Sequence, residues 1–255
     1  MKIEVISSGS KGNSTFIESN NTRILIDVGV NYPRIKNSLE DIGVDPKTLN
    51  GVIISHTHSD HIGGLSSLIK KIDIPIYIRE ELYGEIKKII PEKNIVVIDE
   101  PEILINDLEI KYINASHDVP AFGFIISDKD KKILYLTDTG YINRRYYKEL
   151  ENLDAYVIES NHDEKMLMEG PYPYILKQRV ISDKGHLSNR YTGSFLNKTM
   201  GDKTKYIILA HLSEKNNTEE LALSQVEDEI KDNSNKERKI IIAKQYEATE
   251  MVELW

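Results

Sequence analysis

The sequence predicts one layered α/β domain with β-sheets at its centre. Short apolar runs rich in β-branched residues recur along all 255 residues, and stretches with helical spacing lie between them. This alternation is typical of sheets that are covered by helices. The length fits one large domain over residues 1–255 better than two, and it allows a full core without crosslinks.

The predicted strands are short and apolar, and many are followed by polar residues. They cover residues 3–6, 15–18, 23–28, 52–55, 74–78, 95–98, 108–113, 122–127, 132–137, 155–159, 206–210 and 239–243. The predicted helices repeat apolar residues three and four positions apart. They cover residues 33–42, 65–71, 80–90, 144–150, 189–200 and 218–230. The polar, charged segment 232–238 is expected to be a surface turn.

The composition restricts the possible classes of protein. There is no cysteine, so disulfides are excluded and any metal site must use histidine and carboxylate ligands. No apolar stretch approaches the roughly 20 residues that span a membrane, and the segment MKIEVISSGSKGN has no apolar signal region. These features predict a cytoplasmic protein without a membrane partner. The net charge of −8 argues against general coating of nucleic acid but does not exclude a nuclease.

Potential metal ligands crowd the segment directly after the predicted strand 52–55. His56, His58 and Asp60 alternate, so in an extended segment their side chains can converge on one place. His61 follows where the chain turns towards a helix, and it approaches from another direction. Three imidazoles and a carboxylate in six residues suit Zn²⁺ or Mn²⁺. Because such a cluster has no use in packing, the sequence predicts a metal site.

The HxHxDH run at 56–61 resembles the signature of the metallo-β-lactamase superfamily, and the rest of the chain is similar to that family throughout. The resemblance implies an α/β fold, the four-layer αβ/βα sandwich, with two divalent metal ions at one edge of two sheets. Each ion has three ligands and the two share a bridging carboxylate. One ion is assigned His56, His58 and His117, and the other Asp60, His61 and His211, with Asp138 between them.

Three further residues acquire roles from this resemblance. Asp27, which follows the apolar residues 24–26, resembles a group that supports the metal loop by hydrogen bonds. Glu159 and His186 match a pair in the RNase Z-like phosphodiesterase branch, where the Glu orients the His and the His protonates the leaving oxygen. The resemblance thus implies His186 and Glu159 as catalytic residues, with Asp60 counted as both catalytic residue and ligand. A strand end at Glu159 and a helix cap at His186 would leave the same pattern.

Within the superfamily, the chain resembles the YycJ (or WalJ) group of bacterial proteins. The shared segments are SGSxGN near the N-terminus, ESNHD at 159–163, GHLSN at 185–189 and HLS at 211–213. This resemblance implies a DNA exonuclease of 5′-to-3′ polarity. Only 20 residues separate His117 from Asp138, too few for the tRNA-binding arm of RNase Z. The 72 residues between Asp138 and His211 are too few for the added domain of RNase J.

The expected substrate contacts lie in two segments. The Gly-Ser-rich segment 7–14 suits a phosphate contact, although a hairpin turn has the same composition. The segment 165–190 carries lysines, arginines and tyrosines, as a single-strand channel does, although a solvated helix face gives the same pattern. The predicted contacts are Ser10, Asn13, Lys177, Arg179 and Asn189. His162 is either a polar group near the metals or an exposed loop residue.

Other functions share parts of this pattern. A phosphodiesterase acting on small cyclic or nucleotide esters, or an RNase Z-like ribonuclease, would use the same site chemistry. A thioesterase or lactonase would leave the pair of Glu159 and His186 unexplained. A non-catalytic binding protein would not need the complete ligand set. The sequence therefore favours a nuclease with nucleic acid, DNA above all, as its partner.

Overall fold

The computed structural model describes every residue from Met1 to Trp255. Fourteen strands and eight α-helices make up the chain. The strands are β1 (Lys2–Ser7), β2 (Ser14–Glu18), β3 (Arg23–Ile26), β4 (Gly51–Ile53), β5 (Ile76–Arg79), β6 (Ile95–Ile98), β7 (Glu102–Ile105), β8 (Leu108–Ala115), β9 (Ala121–Ser127), β10 (Lys132–Leu136), β11 (Ala155–Glu159), β12 (Tyr206–Ala210), β13 (Lys239–Ile242) and β14 (Val252–Glu253). The helices are α1 (Tyr32–Asp41), α2 (Ser59–Ile62), α3 (Leu65–Ile69), α4 (Glu80–Ile86), α5 (Glu164–Glu169), α6 (Tyr174–Ile181), α7 (Asn189–Thr199) and α8 (Glu219–Ile230).

The strands form two sheets of seven. The first sheet has the order β14-β1-β2-β3-β4-β5-β6 and the second the order β13-β12-β11-β10-β9-β8-β7. Strands β3 to β6 are parallel to one another, and so are β10 to β13. Parallel strands end at the same edge of a sheet, and this edge is where ligands bind in open α/β sheets.

Four layers result from the way side chains alternate along the strands. One core of 42 buried residues lies between the two sheets and continues beneath α1, α3 and α4. A second core of 18 buried residues lies between the second sheet and the helices α7 and α8. In β11, Ala155 and Val157 belong to the first core, whereas Tyr156 and Ile158 belong to the second. The order helix, sheet, sheet, helix confirms the predicted αβ/βα sandwich.

The sequence-based element predictions fail where an element is short. The sequence does not predict strands β7 and β14 or helices α2, α5 and α6, because two to eight residues are too few to show a period clearly. The helix predicted over residues 144–150 is wrong. That segment contains a 3-10 turn at Arg144–Tyr146, since amides there bond mainly to carbonyls three residues back. None of the helices has the length and hydrophobicity that a membrane span requires.

Glu4 lies inside β1 with only 3% of its surface exposed, and its Oε2 atom has no hydrogen-bond partner. Burial, assisted by Asp41, raises the pKa of Glu4 to about 7. In the unfolded chain the pKa of a glutamate is about 4.3. The folded state therefore retains a proton that the unfolded state loses as the pH rises above that value. Stability is full below about pH 4.3 and falls, by on the order of 3–4 kcal/mol, as the pH rises from there through 7.

We expect the substitution Glu4→Gln to remove this part of the pH dependence. Urea unfolding at pH 5 and pH 8.5 measures it as the difference between the two free energies of unfolding. The variant should lose less stability than the wild type between these pH values, because glutamine carries no proton to lose. Glu81→Gln, at an exposed position, is the matched control and should behave as the wild type does. Equal pH dependence in wild type and Glu4→Gln would contradict the assignment.

Candidate metal centre

Polar side chains from both sheets meet at the edge where the parallel strands end. Asp27 follows β3, His56 lies shortly after β4, and Asp138 lies shortly after β10. Glu159 is the last residue of β11, and His211 directly follows β12. The polar residues that follow the apolar runs of the sequence therefore lie close together, because these strands end at the same edge.

The predicted ligands form two groups at this edge. The ligand atoms of His56, His58 and His117 lie within 4.8 Å of one another, and so do those of Asp60, His61 and His211. Two further clusters overlap with these, one of His56, His61 and Asp138 and one of Asp138, Glu159, His186 and His211. The first two clusters have the same members as the two ion sites expected from the sequence. Asp138 lies between the groups, with Oδ2 3.2 Å from His61 Nε2 and Oδ1 3.5 Å from His211 Nδ1. Asp138 also forms one cluster of possible ligand atoms with His56 and His61, so it adjoins a histidine of each group.

The backbone turns sharply at three residues of this cluster. Asp27, Asp138 and His211 have φ angles of 60°, 55° and 56°, in the left-handed region that residues with a Cβ rarely adopt. Such a conformation costs about 1–2 kcal/mol per residue, so it persists where the surroundings enforce it. The amide of His211 donates to Ser8 Oγ at 2.7 Å, and the amide of Asp27 donates to the carbonyl of Ile53 at 2.9 Å. Strained backbone thus coincides with the chemically active edge.

Asp27 fixes the orientation of His61. Its carboxylate accepts hydrogen bonds from the Ser55 amide, the Ser55 hydroxyl and His61 Nδ1, each at 2.7 Å. Because Nδ1 is occupied, Nε2 of His61 faces the ligand cluster. Ser55 Oγ also lies 3.0 Å from His56 Nδ1, which leaves Nε2 of His56 directed inward. These contacts set which ring nitrogen can bind a metal.

Glu159 orients two histidines at once. Its Oε1 atom accepts from Nδ1 of His186 and from Nδ1 of His211, both at 2.8 Å. Its Oε2 atom accepts from the amides of Thr139 and Leu187 at 3.1 and 3.0 Å. Burial acts to raise the pKa of Glu159, but His186 and His211 hold it at about 2. The carboxylate is therefore ionised and fully engaged.

The unpartnered atoms of the cluster match the requirements of metal ions. His56 Nε2, Asp138 Oδ2 and His211 Nε2 are buried without a hydrogen-bond partner. Buried polar atoms almost always have a partner, so these point to a bound species. Burial acts to raise the pKa of Asp138, but His211 and His61 keep it well below its usual range. Burial acts to lower the pKa of His61, but Asp138 and Asp27 raise it to about 10. Divalent cations bound here would replace such protons.

The comparison with known proteins agrees with this geometry. Residues 8–211 match the family model described as the metallo-beta-lactamase superfamily. The chain belongs to the metallo-β-lactamase superfamily. It is 37% identical over 232 residues to "Exodeoxyribonuclease WalJ" of Streptococcus pneumoniae serotype 2, a match that covers 87% of this chain and 85% of that protein. It is 32% identical over 229 residues to "Exodeoxyribonuclease YycJ" of Bacillus anthracis, covering 87% and 86%. The predicted resemblance to this group is confirmed.

A solved structure extends the likeness of fold to the entire chain. The metallo-β-lactamase fold protein YhfI from Bacillus subtilis superimposes with a TM-score of 0.74, covering 98% of this chain and 99% of YhfI. The sequence identity is 19%, so this likeness concerns the fold alone. It agrees with the four layers described above.

Two residues that support the histidines of this site were not predicted from the sequence. Asp118 Oδ1 lies 3.3 Å from His58 Nε2, so it can hold His58 with Nδ1 directed at the cluster. Nδ1 of His58 in turn lies 3.3 Å from His117 Nε2. Ser55 supports both His56 and Asp27, as described above. The acidic residue directly after His117 was the one available signal for Asp118, and nothing in the sequence signalled Ser55.

The structure corrects two of the predicted substrate contacts. Asn13 is 1% exposed, and its side-chain amide lies 2.9 Å from His61 Nε2 and 3.2 Å from Asp60 Oδ2. Asn189 is fully buried; its Oδ1 accepts from Ser160 at 2.7 Å and its Nδ2 donates to Asn217 at 2.9 Å. Both side chains are used inside the protein. Asn13 supports the metal loop and Asn189 the start of α7, so neither meets a substrate from solvent.

The other predicted contacts separate into two groups. Ser10 and Arg179 line a cavity of about 220 Å³ together with His117, His186 and His211. Lys184, which was not selected from the sequence, lines the same cavity. Lys177 lies outside it, and its Nζ donates to the carbonyl of Met168 at 2.6 Å. The cationic part of the site therefore consists of Arg179 and Lys184.

His162 is a buried polar residue beside His186 and not the exposed loop residue that was the second alternative from the sequence. It is 2% exposed and belongs to neither of the two ion-binding groups. Its backbone pairs with Ser188 at the start of α7, and its Nδ1 atom has no hydrogen-bond partner. Burial lowers the pKa of His162 to about 4, which keeps the ring neutral at physiological pH. It lines a second cavity that also borders His186.

Proposed function

We propose that this chain is a DNA exonuclease that hydrolyses phosphodiester bonds with two divalent metal ions, with 5′-to-3′ polarity. The observation that carries the proposal is the contact of 2.8 Å between Glu159 and His186 beside the ligand cluster. Such a pair has a use in releasing a poor leaving group, as in a phosphodiester, because the carboxylate holds the imidazole in place to donate a proton. The names of the WalJ and YycJ relatives support DNA as the substrate.

The ligand set fits two ions. We assign His56, His58 and His117 to the first ion and Asp60, His61 and His211 to the second, with Asp138 bridging. Four carboxylates, those of Asp27, Asp60, Asp138 and Glu159, balance the charge of two divalent cations. Imidazole and carboxylate donors without thiolate suit Zn²⁺ or Mn²⁺. When bound, the pair of ions activates water as a nucleophile and stabilises charge on the phosphoryl oxygens.

In this proposal, side chains of the protein protonate the leaving group. Because Glu159 occupies Nδ1 of His186, Nε2 is the free nitrogen of that ring. Burial acts to lower the pKa of His186, but Glu159 and Asp138 raise it overall. A protonated ring at this position can donate to the oxygen that leaves from phosphorus and then regain a proton from solvent. His186 is therefore the general acid of this proposal, and Glu159 is its positioning residue.

Arg179 and Lys184 are the groups that would bind the DNA backbone. Both line the cavity beside the metal cluster, and Arg179 forms an ion pair with Asp118, which contacts His58. A phosphate that pairs with Arg179 is therefore next to the metal ligands. Each such contact releases counterions from DNA, so binding should weaken steeply with salt.

We expect Arg179→Gln and Lys184→Gln to weaken binding of single-stranded DNA and to reduce the slope of log Kd against log salt by about one per substitution. Fluorescence anisotropy in a background of strongly reduced turnover, such as His186→Ala, measures this slope. Lys198→Gln, exposed near the end of α7, is the matched control and should leave the slope unchanged.

Comparing DNA with a small diester tests the proposal itself. The metal-loaded protein should degrade DNA far more efficiently than a cyclic nucleotide, and Arg179→Gln should reduce the first reaction and not the second. Fast hydrolysis of the cyclic nucleotide, with DNA turnover negligible, would replace the exonuclease by a phosphodiesterase of small nucleotide esters.

A further inference from the structure

A second cavity borders His186 and is not explained by the metal chemistry. It measures about 350 Å³ and is lined by Gly140, His162, Glu164, Met168, Ile181, His186, Ser188 and Tyr191. His186 also lines the cavity that holds Arg179, so this ring separates the two spaces. A group bound in the second cavity would therefore lie directly against the general acid. The volume is at the lower end of the range for small-molecule sites.

The lining combines apolar walls with a few polar atoms. Met168, Ile181 and Tyr191 provide apolar and aromatic surface. His162 is 2% exposed, and its Nδ1 atom lacks a hydrogen-bond partner, so it is free to bond to a ligand. Ser188 Oγ donates to Glu164 Oε1 at 2.9 Å, which leaves the second carboxylate oxygen of Glu164 as an acceptor. The polar atoms thus offer both donor and acceptor capacity.

The charge of the lining excludes phosphate as the natural occupant. No lysine or arginine lines this cavity, and Glu164 is acidic. Phosphate groups are bound by Lys, Arg and backbone amides, as in the neighbouring cavity with Arg179 and Lys184. A flat, uncharged heteroaromatic group with a polar edge fits better, since apolar walls and an aromatic ring can bind its faces.

We propose that this cavity binds the nucleobase of the terminal nucleotide that leaves when the phosphodiester is cleaved. The inference rests on the proposed nuclease function, because it assigns the base to the side of His186 where the leaving oxygen receives its proton. A base held there places the sugar of the leaving nucleotide next to His186. Base binding then contributes to aligning the leaving oxygen, and a terminal nucleotide without a base is a poorer substrate.

The test compares two linear DNA substrates that differ at the terminal nucleotide released. One carries a natural nucleoside and the other a tetrahydrofuran abasic analogue. For the wild type we expect kcat/KM to be about tenfold higher for the natural end, the scale of losing one stacked base. Ile181→Trp and Met168→Trp place a large side chain in the cavity at half-exposed positions that tolerate it. Both substitutions should reduce the ratio of kcat/KM on the natural end to kcat/KM on the abasic end towards one. A general loss of activity lowers both values equally and leaves this ratio unchanged.

Ile175→Trp is the matched control. Ile175 lies on α6 as Ile181 does, is 83% exposed and does not line the cavity, so its ratio should equal that of the wild type. Equal rates on natural and abasic ends in the wild type would overturn the proposal. So would a ratio that Ile181→Trp and Met168→Trp leave unchanged.

Calorimetry separates this proposal from the proposed function. The metal-loaded protein should bind deoxyadenosine 5′-monophosphate more tightly than deoxyribose 5-phosphate, and Ile181→Trp should remove the difference. If this holds while DNA is not degraded, the base site stands and the nuclease function fails. If DNA is degraded but the two ligands bind equally, the base site fails and the nuclease function stands.

Discussion

Asp138→Ala is expected to reduce DNA hydrolysis by at least about 10³-fold and to lower the metal content from two ions per chain to one or none. Under the proposed assignment the reaction loses its bridging carboxylate, and charge stabilisation by bound metals is worth several kcal/mol, or several powers of ten in rate. Asp138 Oδ2 lies 3.2 Å from His61 Nε2 and its Oδ1 lies 3.5 Å from His211 Nδ1, and its carboxylate also clusters with His56. Elemental analysis of protein reconstituted with manganese or zinc measures the metal content, and a fluorescent DNA assay measures the rate.

Asp202→Ala, in an exposed position between α7 and β12, is the matched control and should bind two ions. A fully reconstituted wild type that holds a single ion would refute the two-ion arrangement. If Asp138→Ala still binds two ions, only the bridging role of Asp138 is refuted, and the two-ion arrangement stands.

His186→Ala is expected to lower kcat on DNA by about 10²–10⁴-fold, the usual contribution of a general acid. The loss should be far smaller for a nitrophenyl phosphodiester, because nitrophenolate leaves without receiving a proton. Metal content should stay at the wild-type value, since His186 belongs to neither of the two ion groups assigned above. Parallel steady-state kinetics on the two substrates, with elemental analysis of the same preparations, make the measurement.

Two other outcomes of His186→Ala would each change the role assigned to His186. Glu159 contacts His186 and His211 equally, at 2.8 Å each, so the hydrogen bond does not distinguish acid from ligand. His211 clusters with Asp60 and His61 without His186, but Asp138, Glu159, His186 and His211 also form one cluster of possible ligands. The assignment therefore depends mainly on the greater exposure of the His186 side chain, 21% against 4%. Loss of a metal ion from His186→Ala would mean that the two roles are exchanged. Equal losses on both substrates would mean that His186 positions phosphate and donates no proton.

The sequence alone was sufficient to predict the features that depend on neighbouring residues. Alternating side chains identify β11 as a strand with two buried faces, and strands that end together bring Asp27, Asp138 and His211 to one edge. The spacing of the HxHxDH run places its ligands on one short segment, so the resemblance could be recognised without the fold. These are properties of neighbouring residues or of an ordered set of motifs.

The remaining features depend on contacts between distant parts of the chain. The bond between Glu159 and His211 spans 52 positions, and that between Asn13 and His61 spans 48. No local pattern encodes such pairs. The predictions for Asn13 and Asn189 were wrong for this reason, since the sequence does not distinguish an asparagine that contacts substrate from one that belongs to an internal hydrogen-bond network. The cavity lined by His162 arises where α5, α6 and α7 meet the strand ends, and so the fold was needed to find it.

A comparison of linear and circular DNA tests most directly whether this protein degrades DNA from an end. The purified protein is incubated with manganese and with single-stranded DNA of one sequence, either linear with a 5′ label or covalently closed. We expect early release of the labelled terminal nucleotide from linear DNA, resistance of the closed circle, and loss of activity when a chelator removes the metal. Cleavage of the closed circle at a rate similar to that of linear DNA would contradict this expectation.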